Sequence, residues 1–186
     1  FGTGIVRTVS DFGKGGEKPS NPELLDYLAS NFVKDNWSVK KLHRQILLSS
    51  VYRQSSDDRP DAYKADPDNQ LLAVFPRRRL DAEQIRDSLL VASGKIEEKI
   101  GGPSVFPAIP GGVITGYNNF DNNPLWKTSS EVRDQNRRSL YVFTRRSLPY
   151  PMLEVFDPAN PQLVHSKRDV TTTPLQALAL FNNEIV

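Results

Sequence analysis

Fourteen prolines are scattered along 186 residues, together with eleven glycines, and this spacing limits what the chain can fold into more than any other feature. A proline inside a helix removes a hydrogen bond and clashes with the preceding turn, and inside a sheet it interrupts the ladder. Regular elements are therefore short and joined by many turns and long connections. Between Pro149, Pro151, Pro158 and Pro161 there is room for only one or two helical turns, around Met152 to Phe156. Apolar residues make up 38% of the chain, below the roughly 45–50% of typical globular composition, a figure that also counts glycine. A chain of this length still buries a real core.

Helix signals stand between these breaks. Ser20 with Glu23 three residues on is a capping-box pattern, Pro22 sits where a first-turn proline costs no hydrogen bond, and Leu24, Leu25, Leu28, Ala29 and Phe32 form one stripe to about Lys34. After Asp35, Asn36 and Trp37, Ser38 can cap a second helix with Val39, Leu42, Ile46 and Leu47 on one side and Lys40, Lys41, Arg44 and Gln45 on the other. The short link predicts a helical hairpin. Asp81 with Gln84 opens a third helix whose Ala82, Ile85, Leu89 and Ala92 share a face and which Gly94 can stop. Thr173, Pro174 and Gln176 mark a last helix, in which Leu175 and residues 177–181 are apolar almost all round. Such a helix needs shelter, so it is expected to pack on the rest of a longer polypeptide or on a partner chain.

Elsewhere the reading is coarser. Residues 1–20 read as a looped entry with at most a short strand at Ile5 to Val9, residues 55–69 as a surface connection with no packed role, and 137–147 as a short buried strand or helical stretch. The expected class is mainly α: an irregular helical domain with long Pro-, Gly- and Asn-rich loops and at most short strands. Residues 1–186 read as a single domain, or a fragment of one truncated at both ends.

Composition excludes several chemistries. A formal charge of +2 is too small for a general phosphate-seeking field, which disfavours nucleic acid as a partner. Without cysteine there is no disulfide, thiolate nucleophile, Cys-ligated zinc, iron–sulfur cluster or covalent haem attachment. The two histidines, His43 and His165, stand in no metal-ligand spacing, and neither a metal nor a cofactor is expected in this chain. His43 falls on the apolar side of its helix and is expected in the core. No apolar run approaches the 18 residues of a membrane span, and neither a phosphate loop nor a nucleophile elbow is present.

Arginine clusters are the most distinctive chemistry: Arg77, Arg78 and Arg79, then Arg137 and Arg138, then Arg145 and Arg146. Guanidinium groups recognise carboxylate, phosphate or sulfate in planar bidentate fashion. On a strand, Arg138 and Arg146 would share one face and Arg137 and Arg145 the other. Two uses are open: a ligand-facing anion site, or pairing with Glu83, Asp87, Asp11 or Asp169 to brace loops. Glu83 and Asp87 lie four apart on one helix face, spaced for an acid and base pair, with Arg86 near enough to neutralise both. The loop GYNNFDNNPLW sets Tyr117, Phe120 and Trp126 among amides, as a sugar-binding surface would require; the same aromatics could instead pin the loop to the core.

The segments FGxGIVRTxSDFGxxGExPSxPELLDYLAxxF, SxKxLHRxILLSxxYRQSS, RRRLxAEQIRDSLL, GGPS, RRSLYVFTRRSLPxPxLEVFD and DVTTTPLQALALFN follow in order from Phe1 to the C-terminal end. This series resembles the C-terminal domain of unknown function, number fifteen fifty-three in that series, of large planctomycete-type proteins. The resemblance implies an exported or cell-envelope setting, periplasmic or secreted, and a parent chain that often carries a c-type cytochrome domain, with the haem in that other domain. It assigns no catalytic residue. The function expected from sequence is a non-catalytic accessory or interaction module, partnered by other domains of its parent or by another chain. The alternative is an enzyme or binding domain for a polar or anionic polysaccharide, using the arginine clusters with Glu83 and Asp87.

Overall fold

Helix α1, Pro22–Lys34, starts one residue later than the Ser20 pattern suggested. Asn21 is the cap, its side chain accepting the Leu24 N–H at 2.9 Å, with Pro22 at the first helical position. The helix ends in a Schellman turn: Trp37 N–H donates to Phe32 O at 2.9 Å and Asn36 N–H to Val33 O at 3.1 Å. Asn36 supplies the left-handed conformation, φ 53°, and the Trp37 ring meets Phe32 edge-on at 5.3 Å. Ser38 then caps α2, Val39–Leu48, by accepting the Lys41 N–H at 3.3 Å. The predicted helical hairpin is present, α1 packing on α2.

The computed structural model describes residues 1–109, 126–164 and 166–182. They fall into two compact units, Phe1–Arg78 and Arg79–Val186. Among the described residues the architecture is mainly helical and contains no strand beyond isolated single-residue bridges.

In the first unit the looped entry is present, without the short strand at Ile5 to Val9. Thr8 closes it, its hydroxyl donating to Asp11 O at 2.8 Å and accepting the Glu17 N–H at 3.0 Å. The polar stretch 55–69 carries a short helix, α3, Pro60–Ala65, and it has a packed role after all. Asn69 holds both backbone groups of Val74, and Gln54, just before it, donates to Leu72 O at 2.6 Å. Val74, 1% exposed, is the one buried residue of this unit. Phe1, Tyr52 and Phe75 form a small aromatic cluster with centroids 5.4–5.9 Å apart. His43 is exposed rather than in the core.

The second unit is organised on α4, Ala82–Ala92, whose entry carries the Gln84 half of the predicted capping box: its amide oxygen accepts the Asp81 N–H at 3.0 Å. The exit is again a Schellman turn, Lys95 N–H to Leu90 O at 2.9 Å and Gly94 N–H to Val91 O at 3.0 Å. Gly94 has φ 67°, and a Cβ there would meet nothing within 4 Å. Gly94→Ala therefore tests backbone strain alone: a loss of about 1 kcal/mol is expected in chemical denaturation. After α4 come α5 (Val132–Gln135), a 3-10 turn (Ser139–Tyr141), α6 (Pro151–Glu154) and α7 (Pro174–Asn182).

The core gathers Ile109, Trp126, Val142, Leu148, Tyr150 and Met152, with Leu89, Phe106 and Leu153 against them. The segment 137–147 is neither strand nor regular helix. It begins with one bridge, Arg137 to Glu97, continues through the 3-10 turn, and pairs by a second bridge, Val105 N–H to Tyr141 O at 2.8 Å and Phe143 N–H to Val105 O at 2.9 Å.

Candidate functional site

The polar chemistry of the second unit converges on four arginines, and each guanidinium meets groups of its own unit. Arg86, on the inner face of α4, is 1% exposed. It donates to Arg137 O at 2.9 Å, Gln135 O at 2.7 Å and Ser139 Oγ at 3.2 Å, with the Tyr150 ring 5.8 Å away. One side chain thus fastens the chain from α5 to the 3-10 turn onto α4. Arg137 is buried to the same degree. Its guanidinium lies 3.8 Å from the Tyr141 ring centre and donates to the carbonyls of Pro103, Lys99 and Gly101. The Tyr141 hydroxyl completes this clamp by accepting the Gly101 N–H at 2.8 Å. The Nε groups of Arg86 and Arg137 have no hydrogen-bond partner among the described residues.

Arg79 spans the C-terminal part of the unit. It donates to Phe156 O at 3.0 Å, to the Asp157 carboxylate at 2.9 Å and to Thr171 O. Asp157 also accepts the Thr171 N–H at 2.8 Å and the Thr171 hydroxyl at 2.9 Å. The backbone bond from Thr171, helped by its hydroxyl and by Arg79, holds the Asp157 carboxyl below the usual carboxylate range despite partial burial. A depressed folded value means that this contribution to stability is full above the unfolded carboxyl range, near pH 4, and is lost as pH falls through the folded value. Asp157→Asn is therefore expected to cost about 1–2 kcal/mol at neutral pH and to flatten the acid limb of the stability profile below about pH 4. Asparagine tolerates the left-handed backbone at this position, φ 58°, so strain does not confuse the measurement. Thermal melts across pH 2–7 would read both effects.

The two carboxylates on α4 go to different partners. Glu83 pairs with Arg168 at 2.5 Å, a hydrogen bond that raises the Arg168 guanidinium above its ordinary value. Asp87 accepts the Ser139 N–H at 2.7 Å and lies 3.8 Å from Arg138 Nε and 4.0 Å from Arg86 Nη1. Of the arginines singled out in sequence, Arg138 is thus near Asp87 but half-exposed, Arg145 is partly buried, and Arg146 is exposed. Arg78 is exposed in the first unit and Arg79 belongs to the second.

Trp126 is 4% exposed, its Nε1–H donating to Pro107 O at 2.7 Å and its ring stacked on Tyr150 and edge-on to Phe106. Both ring faces belong to the core, so Trp126 offers a sugar no platform; Tyr117 and Phe120 lie outside the described residues.

Sequence reasoning singled out the arginine clusters but not the residues that receive them. Arg86 was noted only as a neutralising neighbour, and Asp157, Thr171, Gln176, Tyr141 and Arg168 were not seen as site residues. One signal was present: in the stretch TTTPLQ, Gln176 reaches back to accept the Thr173 N–H at 3.2 Å, and this capping geometry turns it toward Arg79. The first unit contributes a shallow groove of about 380 Å³ lined by Asn31, Asp35, Lys41, Arg44, Gln45 and Leu48, in which Lys41 is already paired with Asp35 at 2.9 Å.

Among the described residues no group of three or more His, Cys, Asp or Glu side chains could hold a metal ion, and no helix is long and apolar enough to cross a membrane. No curated protein and no solved structure matches the chain. The order of motifs, now seen as capped helices tied by inward-facing arginines, matches one family throughout residues 1–186, and the chain belongs to it: PSD1, protein of unknown function (DUF1553).

Proposed function

We propose that this chain is a non-catalytic accessory or interaction module of a larger exported or cell-envelope protein of planctomycete type, a kind of chain that often also carries a cytochrome domain. The observation that supports the non-catalytic part is the inward commitment of the arginines. A site built to bind an anion keeps guanidinium forks open toward solvent or a pocket; Arg79, Arg86 and Arg137 spend theirs on backbone carbonyls and one carboxylate of the same unit. Glu83 and Asp87, the pair from which acid–base chemistry would be built, are likewise engaged separately with Arg168 and Ser139. The exported setting and the cytochrome association rest on the likeness of the sequence motifs.

The interaction part is supported by the apolar side chains that α7 leaves exposed, Phe181 at 84% among them. A photo-crosslinking residue at position 178 in the complete protein, irradiated in its native cells, is expected to give one defined product, either to another domain of the same polypeptide or to one partner chain. Absence of any product would count against the module. Retention of the protein on an anionic polysaccharide, lost in Arg138→Ala or Arg146→Ala, would replace it with the carbohydrate reading.

A further inference from the structure

Helix α7 carries almost only apolar side chains, yet apolar burial is not what holds it. Leu175, Leu178 and Phe181 stand mostly in solvent, and the one buried residue of the helix is its only polar interior position, Gln176. The substantial helix packing of this unit is α4 against α6 and α4 against the 3-10 turn, and α7 has nothing comparable among the described residues. Stabilisation from apolar burial scales with the area removed from water, so a helix that leaves its Leu and Phe exposed gains little from it. Nine residues are also too few to remain helical unaided.

What reaches α7 is polar. Gln176 Nε2 donates to Thr171 Oγ1 at 3.2 Å, and Gln176 Oε1 accepts from Arg79 Nη1 at 3.4 Å. Thr171 is fixed in turn by its N–H and by its hydroxyl proton, shared between the two oxygens of the Asp157 carboxylate, which Arg79 also holds, while Arg79 reaches back to Phe156 O at the end of the α6 segment. The same cluster ties the chain at Asp157 to the chain at Thr171, fourteen residues further on.

We propose that Arg79, Asp157, Thr171 and Gln176 form a latch and that α7 is a detachable arm, which leaves as one piece when the latch opens while α4 and the core stay folded. Opening of this kind is a sub-global event, with a free energy below that of global unfolding. It follows from the split between the two parts of the unit: a dry core around Trp126 and Leu148, and an arm tied on by a few charge-assisted bonds whose loss leaves the core contacts intact.

Hydrogen exchange of the complete protein tests this directly. Amides of Leu178 to Phe181 are expected to be protected at least tenfold less than those at the C-terminal end of α4. Asp157→Asn and Gln176→Leu should each lower protection in α7 by about tenfold further, the effect of one hydrogen bond to a charged group or its relay, with the gap in protection between α7 and α4 retained in both variants. Gln176→Leu touches only the helix side of the latch and adds apolar bulk, so it reports even if Asp157→Asn disturbs the loop. Equal protection of α7 and α4 in the parent protein, or unchanged α7 protection in both variants, would each overturn the latch.

Discussion

Arg86→Met is expected to destabilise the second unit by about 3 kcal/mol, the scale set by leaving buried acceptors without a donor. Methionine keeps the aliphatic stem of the side chain as far as the Nε position, so the change removes chiefly the guanidinium. Two effects oppose each other. Removing a buried cation, whose Nε already lacks a partner, relieves desolvation, and replacing a buried charge by an apolar residue can be neutral for that reason. Against this, the carbonyls of Arg137 and Gln135 lose the donor that joins them to α4. The second effect wins because the acceptors are backbone atoms that remain after substitution. Arg86→Lys should recover little, since an ammonium group is a point donor and cannot span three acceptors as the planar fork does. Each kcal/mol corresponds to about 4–8 °C for a unit near this size, so Arg86→Met should lower the melting temperature by roughly 12–24 °C. A methionine variant that melts with the parent would mean that Arg86 braces nothing.

The helices were legible because their signals are local. Ser38, Asp81 with Gln84, Gly94 and the Thr173–Gln176 pair all act within four residues of their own position, and each stands at the start or end of a helix. The one-residue error at α1 has the same origin: Ser20 and Asn21 are both good caps, and Pro22 at the first helical position settles the choice for Asn21. His43 was misplaced because Val39 and Leu47 suggested an apolar face through it. The hairpin instead half-buries Leu42 and Ile46, and His43 lies about 100° around the helix from Leu42.

The arginines were legible as unusual but not as to use. Arg137 ends on three carbonyls and a tyrosine ring, and a backbone carbonyl is present at every residue, so nothing in sequence marks the ones that will receive it. The strand expected along 137–147 is absent because the 3-10 turn at Ser139–Tyr141 interrupts it just after Arg138. The arginines still divide as alternation places them, Arg137 inward and Arg145 partly buried, Arg138 half outside and Arg146 exposed.

Trp126→Ala carries the other large expected effect, a loss of about 3–5 kcal/mol as for other core aromatic truncations. The indole fills the space between Phe106 and Tyr150 and is the donor to Pro107 O; alanine would leave both a cavity and an unpaired carbonyl. Trp126→Phe separates the two contributions, because it retains most of the ring packing and removes only the N–H, at a cost of about 1–2 kcal/mol. Denaturant titration of both variants, combined with mobility in a polysaccharide-loaded gel, distinguishes the core role from the carbohydrate role that sequence left open. A core residue gives graded stability losses and no change in mobility relative to the parent. A sugar platform gives the reverse: parental stability in both variants, mobility lost with alanine and kept with phenylalanine, since a benzene ring still presents a face to sugar C–H groups. The burial of Trp126 selects the first outcome, because a ring 4% exposed, stacked on Tyr150 and met edge-on by Phe106, has no face left to offer.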